Sequence, residues 1–236
     1  MYKRCFLFFI CLAVLTLTFY GQQQESSETV KDIDGNVYNT VVIGTQVWMK
    51  ENLKTTRYND STSIPNVTND TQWVNLTTGA YSWYKNDSAT YKNPYGALYN
   101  WYAVETGKLC PTGWHVASDE DWTTLIYYLG GYNITGGKLK DADTTYWRSP
   151  NKEATNESGF TAVAGGWRET NGRFGGLNFY AFWWTSTYEP GPSLIPLNED
   201  DQAGPWMRVI FSDQNSIKKN NCFSKRMGFS VRCIKD

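Results

Sequence analysis

An α+β domain is the fold class this sequence predicts, and three observations predict it. Short β-branched and aromatic runs recur between polar turns. Two stretches, 96–107 and 118–129, carry helical spacing instead. No repeat of fixed period runs through the chain. Short strands and loops joined to two helices make an α+β arrangement.

The chain has 236 residues. It opens with Lys3 and Arg4, an apolar run over 6–17, and Tyr20-Gly21 before polar Gln22. That order predicts a secretory signal peptide over 1–21. The apolar run is shorter than the roughly 20 residues that cross a bilayer. No later stretch is longer, so no membrane span is expected. Cys11 lies inside the run, where a lipoprotein cleavage site does not fit. Residues 22–29 are polar and read as a disordered leader. Residues 30–236 are expected to form a single domain.

Removing Lys3 and Arg4 from the 22 basic residues leaves 20 against 23 acidic ones, a net charge of −3. No basic stripe follows, so no nucleic-acid partner is expected. Aromatic residues make up 16% of the chain, yet mean hydropathy is −0.51. Such a chain can build a core from a few large rings and leave others on a polar surface.

The domain begins at Val30. Asp34-Gly35 is a hairpin signal, Val37, Val41, Val42 and Ile43 are β-formers, and Gly44-Thr45 reverses the chain before Val47-Trp48-Met49. Residues 59–93 are rich in Asn, Thr, Ser and Tyr and read as long loops, with short strands near 71–74 and 80–84. Ala97, Leu98, Trp101, Tyr102 and Glu105 suggest a first helix, closed by Gly107.

The stretch 109–131 organises the rest. Trp114-His115-Val116 has strand character. Ser118 and Asp121 make a capping-box pattern, and Trp122, Leu125, Ile126 and Leu129 recur at helical spacing before Gly130-Gly131. Asp119, Glu120 and Asp121 place negative charge where the helix dipole favours it. Later strands are expected to pack on this helix.

Residues 136–139 and 160–164 read as short apolar pieces between polar turns. An Asn-Gly turn with glycines at both ends predicts a hairpin or tight loop over 165–176. Phe182–Thr187 has strong β character. Tyr188–Pro205 holds four of the chain's eight prolines and predicts a long exposed loop. Trp206–Phe211 and Phe229–Ile234 read as closing strands.

Three cysteines remain after the signal: Cys110, Cys222 and Cys233. One disulfide and one spare thiol is the simplest outcome in an oxidising compartment, and the residues themselves leave all three pairings open. His115 is the sole histidine, which excludes a multi-histidine metal site.

Seven motifs in order, DIDGNVYNTVVIGTQVWMKENL, YGALYNWYAV, LCPTGWHVASDEDW, GGKLKD, ATNESGFTAVAGG, AFWWTST and GFSVRCIKD, resemble the Fibrobacter succinogenes major paralogous (FISUMP) domain. That is a family of secreted and surface proteins of Bacteroidota-like bacteria. Through WHVASDEDW, WWTST and GFSVRC it is remotely similar to the formylglycine-generating-enzyme branch of the C-type-lectin-like fold. The resemblance implies a C-type-lectin-like mixed sheet with two flanking helices and long irregular loops. It also implies that the chain ends meet, and with them a Cys110–Cys233 disulfide that leaves Cys222 spare. It implies no particular activity.

Each candidate chemistry has a plainer structural reading. Cys222 and Cys233 are the only close cysteines, but a redox pair must be accessible, and Cys233 falls in a core strand. His115 could act as a general base, yet no G-x-S-x-G or other nucleophile motif accompanies it. Asp119, Glu120 and Asp121 are explained by capping without invoking a glycosidase pair. Asn198, Glu199, Asp200 and Asp201 could offer oxygens to a structural calcium, but their spacing is not an EF-hand and reads as a solvated acidic loop. The sugar-binding signatures of calcium-dependent lectins are absent. No cofactor is expected beyond that calcium.

Aromatics near loops could stack on sugars while polar neighbours bond hydroxyls. Trp183 or Trp184, with Trp114 and Trp122, are assigned to the core. The ligand-binding set that remains is Trp147, Trp167, Arg168, Arg173, Asp200, Asp201 and Trp206. The expected function is a non-catalytic binding or adhesion domain, secreted to the surface, the medium or the periplasm, for a glycan or a surface protein. The alternatives are a secreted enzyme acting on polysaccharide or thiols, and a structural surface or fibre subunit.

Overall fold

Alternating apolar and polar residues on either side of Gly44-Thr45 build the first hairpin. Val37–Ile43 (β2) pairs antiparallel with Gln46–Met49 (β3), and Thr29–Lys31 (β1) adds to β2 across the Asp34-Gly35 turn. The structure, a computed structural model, describes residues 28–189, 204–221 and 223–236. The expected signal peptide, Asp200, Asp201 and Cys222 lie outside the described residues.

Trp114–Val116 (β6) and Cys233–Lys235 (β12) complete this sheet in the order β1-β2-β3-β12-β6. A second sheet has the order β11-β10-β9-β7-β8, from Gly165–Arg168 (β7), Phe174–Leu177 (β8), Tyr180–Tyr188 (β9), Pro205–Phe211 (β10) and Ile217–Asn220 (β11). Only β7 and β9 run parallel in it. Tyr81–Ser82 (β4) and Leu98–Tyr99 (β5) form a separate pair. Helices Asp70–Val74 (α1), Ser88–Tyr95 (α2), Trp101–Val104 (α3), Asp119–Tyr128 (α4) and Tyr132–Leu139 (α5) complete the α+β architecture.

The capping box that opens α4 forms as expected. Ser118 Oγ accepts from the Asp121 amide at 3.1 Å, and Asp121 Oδ2 accepts from the Ser118 amide at 2.8 Å. Trp122, Leu125 and Ile126 are fully buried. Trp122 lies 5.1 Å from Trp48, 5.6 Å from Phe160 and 5.5 Å from Trp183, so strands of both large sheets pack on this helix. Burial of each such side chain is worth roughly 1.5–3 kcal/mol.

The last ten residues sew the sheets together. Gly228 bridges Arg168 of β7, Phe229 bridges Tyr99 of β5, and Ser230 bridges Trp183 of β9. β12 then pairs with β6 and β3. Cys110 and Cys233 form a disulfide across a separation of 123 residues. Among the described residues the first and last strands share one sheet, two strands apart, and Lys235 Nζ lies 3.7 Å from Glu28.

Several local expectations are corrected. Residues 71–74 are helical, not a strand, because Asn69 Oδ1 caps α1 by accepting from the Gln72 amide at 3.0 Å. The helix expected over 96–107 shrinks to α3, since Asn100 is its N-cap and Leu98-Tyr99 pair with β4. Residues 88–93, expected as loop, belong to α2 behind an Asp87 cap. More helices are present than the two expected.

Helix α5 replaces a short apolar piece. Its Gly136-Gly137 disfavours a helix on propensity, but a Cβ at Gly136 would lie 2.5 Å from Ser216 O. The glycines are there so that the loop 215–216 can approach the helix closely.

Candidate functional site

Along β9, side chains alternate between two cores. Ala181 and Trp183 face the core under α4, while Tyr180 and Phe182 face the other side. On β10, Val209 and Phe211 share that second face. Trp167 of β7 joins them, 5.4 Å from Tyr180 and 5.5 Å from Phe182, edge to face in both cases. Tyr180 continues to Phe211 at 5.2 Å, and Phe182 to Phe223 at 6.3 Å. Underneath, Phe182 stacks on buried Phe229 at 4.8 Å.

This aromatic row opens as a groove of about 460 Å³ lined by Trp167, Glu169, Thr170, Tyr180, Phe182, Phe223, Ser224 and Met227. The volume lies within the roughly 300–1,000 Å³ range of small-molecule sites. Trp167 can lie flat because its neighbour on β8 is glycine. It pairs with Gly175, where a Cβ would come within 2.8 Å of the indole, and a Cβ at Gly176 would collide with the same ring. The Trp167 indole N–H donates to Glu169 Oε1 at 2.9 Å, which fixes the ring and holds the carboxylate at the groove. Glu169, Thr170 and Ser224 are the polar groups among rings.

The residues singled out by sequence do not gather here. Of the five that lie among the described residues, Trp167 alone lines the groove. Trp147 is completely buried, its N–H donating to Ala162 O at 2.7 Å, so it presents no face to a ligand. Arg168 is also completely buried. Its guanidinium lies between the rings of Trp73, at 4.2 Å, and Phe174, at 4.8 Å. It donates to the carbonyls of Val67, Thr68 and Gly172 and to Asp70. Burial lowers its pKa, and Asp70 opposes that. Arg168 is therefore a strut between α1 and β7. Arg173 is exposed in the β7–β8 turn and outside the groove lining. Trp206 is half-buried on β10 with the Lys219 ammonium 4.4 Å above its ring, also outside that lining.

The core assignment holds for Trp122, Trp183 and Trp184, all fully buried, whereas Trp114 is half-buried. Tyr180, Phe182 and Phe223 were missed as site residues. The signal for the first two was the spacing of Tyr180 and Phe182 by two, which puts both on one face of a strand.

His115 is held between two carboxylates, with Nε2 3.1 Å from Asp121 and Nδ1 2.7 Å from Asp236. Partial burial pulls its pKa down, but the bonds to Asp236 and Asp121 outweigh it and the net shift is upward. Asp121 is the capping carboxylate of α4, so this contact ties the last residue to the helix start. Among the described residues no group of three or more His, Cys, Asp or Glu side chains could hold a metal ion. Among them, too, no helix is long and apolar enough to cross a membrane.

No curated protein and no solved structure matches the chain. The family model of the Fibrobacter succinogenes major domain matches residues 41–235, and the chain belongs to that family.

Proposed function

We propose that this chain is a secreted, non-catalytic binding or adhesion domain that holds a carbohydrate in the aromatic groove. The observation that carries the reading is the row Trp167–Tyr180–Phe182–Phe223 with polar groups beside it. Sugar rings present apolar C–H faces and a rim of hydroxyls. Half-buried aromatic rings complement the faces, and Glu169, Thr170 and Ser224 can bond the rim. One oxygen of Glu169 is committed to the Trp167 indole, which leaves the other for a hydroxyl.

The basic-then-apolar N-terminus and the Cys110–Cys233 disulfide support an exported protein, since disulfides persist in oxidising compartments. A C-type-lectin-like scaffold is supported by two features, the first and last described strands placed in one sheet and a capped helix packed on the strands of both large sheets.

A glycan array probed with residues 22–236 tests the reading. Binding to a defined glycan class, lost in Trp167→Ala, is the expected result. No binding anywhere, together with turnover of a polysaccharide or a disulfide substrate, would overturn it in favour of an enzyme.

A further inference from the structure

A second cavity lies away from the aromatic groove and shares no lining residue with it. It has a volume of about 230 Å³ and forms where the segment after β3, the end of α2 and the loops at 141–146 and 161–163 converge. Lys50, Lys54 and Lys92 line it, against Glu51 and Asp141. Among the lining side chains three ammonium groups face two carboxylates, an excess of one positive charge.

The acids are already engaged. Both oxygens of Glu51 accept from Asn39, at 2.9 Å from its amide N–H and 2.7 Å from its side chain. Asp141 accepts from the Asp143 amide at 2.9 Å. The lysines hold weaker partners. Lys54 donates to the neutral side chain of Asn93 at 2.7 Å and sits 5.6 Å from the Tyr38 ring. Lys92 lies 5.6 Å from the Trp83 ring. Burial lowers the Lys54 pKa, Glu51 and Asp32 oppose the shift, and the charge of Lys92 adds to it. Two cations that repel each other in the lining of a partly desolvated cavity are a place for an anion.

The rest of the wall is not that of a simple ion site. Tyr146, half-buried and held edge to face on Tyr95 at 5.8 Å, contributes a flat ring, and Pro94 and Val163 add apolar surface. The cavity is smaller than the roughly 300–1,000 Å³ of drug-sized sites, and suits a single ring. A point-charge ammonium needs no bidentate geometry, so it suits one carboxylate. A single net positive charge matches a monoanion better than a dianion.

We propose that this cavity binds an acidic monosaccharide, a hexuronate whose carboxylate sits between Lys54 and Lys92 and whose ring lies against Tyr146 and Pro94. The site is independent of the groove reading, and either can fail alone.

Calorimetric titration of residues 22–236 with D-glucuronate, D-glucose and inorganic phosphate tests it. Saturable binding of glucuronate, weaker binding of phosphate, none of glucose, and weakening as salt is raised are expected. Lys92→Met should weaken glucuronate roughly tenfold and Lys92→Arg should restore most of it. Trp167→Ala should leave it unchanged. A thermal melt of each variant separates lost binding from lost folding, and Lys54→Met provides a second lysine should Lys92→Met not fold. Equal binding of glucose, tighter binding of phosphate, no saturation, or full binding by folded variants of both lysines would each overturn the proposal.

Discussion

Arg232 donates twice to one oxygen, the Oδ1 of Asn52, from Nε at 3.2 Å and from Nη2 at 2.9 Å. The same oxygen accepts from the Trp183 indole at 2.9 Å. The third guanidinium nitrogen reaches the carbonyls of Met49, Lys50 and Phe160 at 2.6–2.9 Å. This cation is completely buried and is satisfied by neutral acceptors. Burial lowers its pKa to about 9, with Glu51 opposing from a distance. It joins the end of β3, the final segment and the Phe160 turn.

Arg232→Met is therefore expected to cost roughly 3–5 kcal/mol, because several carbonyls lose their donor at once. Arg232→Lys should recover less than half, since one ammonium cannot span acceptors on opposite sides. Urea unfolding of the three proteins checks this. A methionine variant as stable as the parent would refute the account.

The Cys110–Cys233 disulfide closes a loop across 123 residues. In the chain-entropy model such a loop contributes roughly 4–5 kcal/mol, and often less in practice. Cys110→Ser with Cys233→Ser should lower the denaturation midpoint as much as a reductant lowers that of the parent. The reductant should then do nothing further to the double variant. A midpoint indifferent to both treatments would mean the bond carries no stability.

What was legible in sequence was local. The capping box at Ser118 and Asp121, the helical spacing of Trp122, Leu125 and Ile126, and the turns at Gly35 and Gly44 each depend on residues within a few positions. The disulfide came from family resemblance, since three cysteines by themselves left the pairing open. Helix α5 was hidden because Gly136 and Gly137 answer to a loop some eighty residues away. The buried cations were hidden for the same reason. Lys140 sits inside carbonyls of Lys152 and Gln214, at 2.6 and 3.0 Å, and Arg168 reaches back to 67–70. Polar flanks made Trp147 look exposed, whereas its acceptor, Ala162 O, lies fifteen residues on. Polar neighbours point to Trp167, whereas in the strand that completes the groove Trp183 and Trp184 point to the core.

Gly137 gives a direct test of that long-range constraint. A Cβ there would collide with the Asn215 side chain and the Glu153 carbonyl. Gly137→Ala raises helix propensity by roughly 1 kcal/mol, yet it should destabilise by about 1–3 kcal/mol through overpacking. Thermal unfolding decides the sign. A stabilised variant would show that the loop yields and the close approach is incidental.

The row of rings in the groove predicts a separation of binding from stability. Phe182 stacks on buried Phe229, so Phe182→Ala should lose stability along with any ligand. The ring partners of Tyr180 and Trp167 are themselves half-buried or exposed. Tyr180→Ala and Trp167→Ala should weaken glycan binding roughly tenfold each. Their melting temperatures should fall by less than that of Phe182→Ala. Binding that follows melting temperature across all three would place the ligand elsewhere.

His115 supplies a pH dependence with a definite sign. Its carboxylate partners hold the folded pKa above the ordinary value of 6.5, even though partial burial acts the other way. The folded state thus binds the proton more tightly than the unfolded state. The stabilisation is fully present below the unfolded pKa and is lost as pH rises through the folded one. The imidazole side chain is 42% exposed, so solvent screening keeps the effect below about 1 kcal/mol. His115→Gln should be less stable than the parent near about pH 6 and should converge with it near about pH 8. Because His115 is the only histidine, a proton NMR titration reads its pKa without assignment. The midpoint should lie above 6.5 and move down in Asp236→Asn. A midpoint at or below 6.5 in the parent would mean that the contact between the last residue and the α4 cap does not hold in solution.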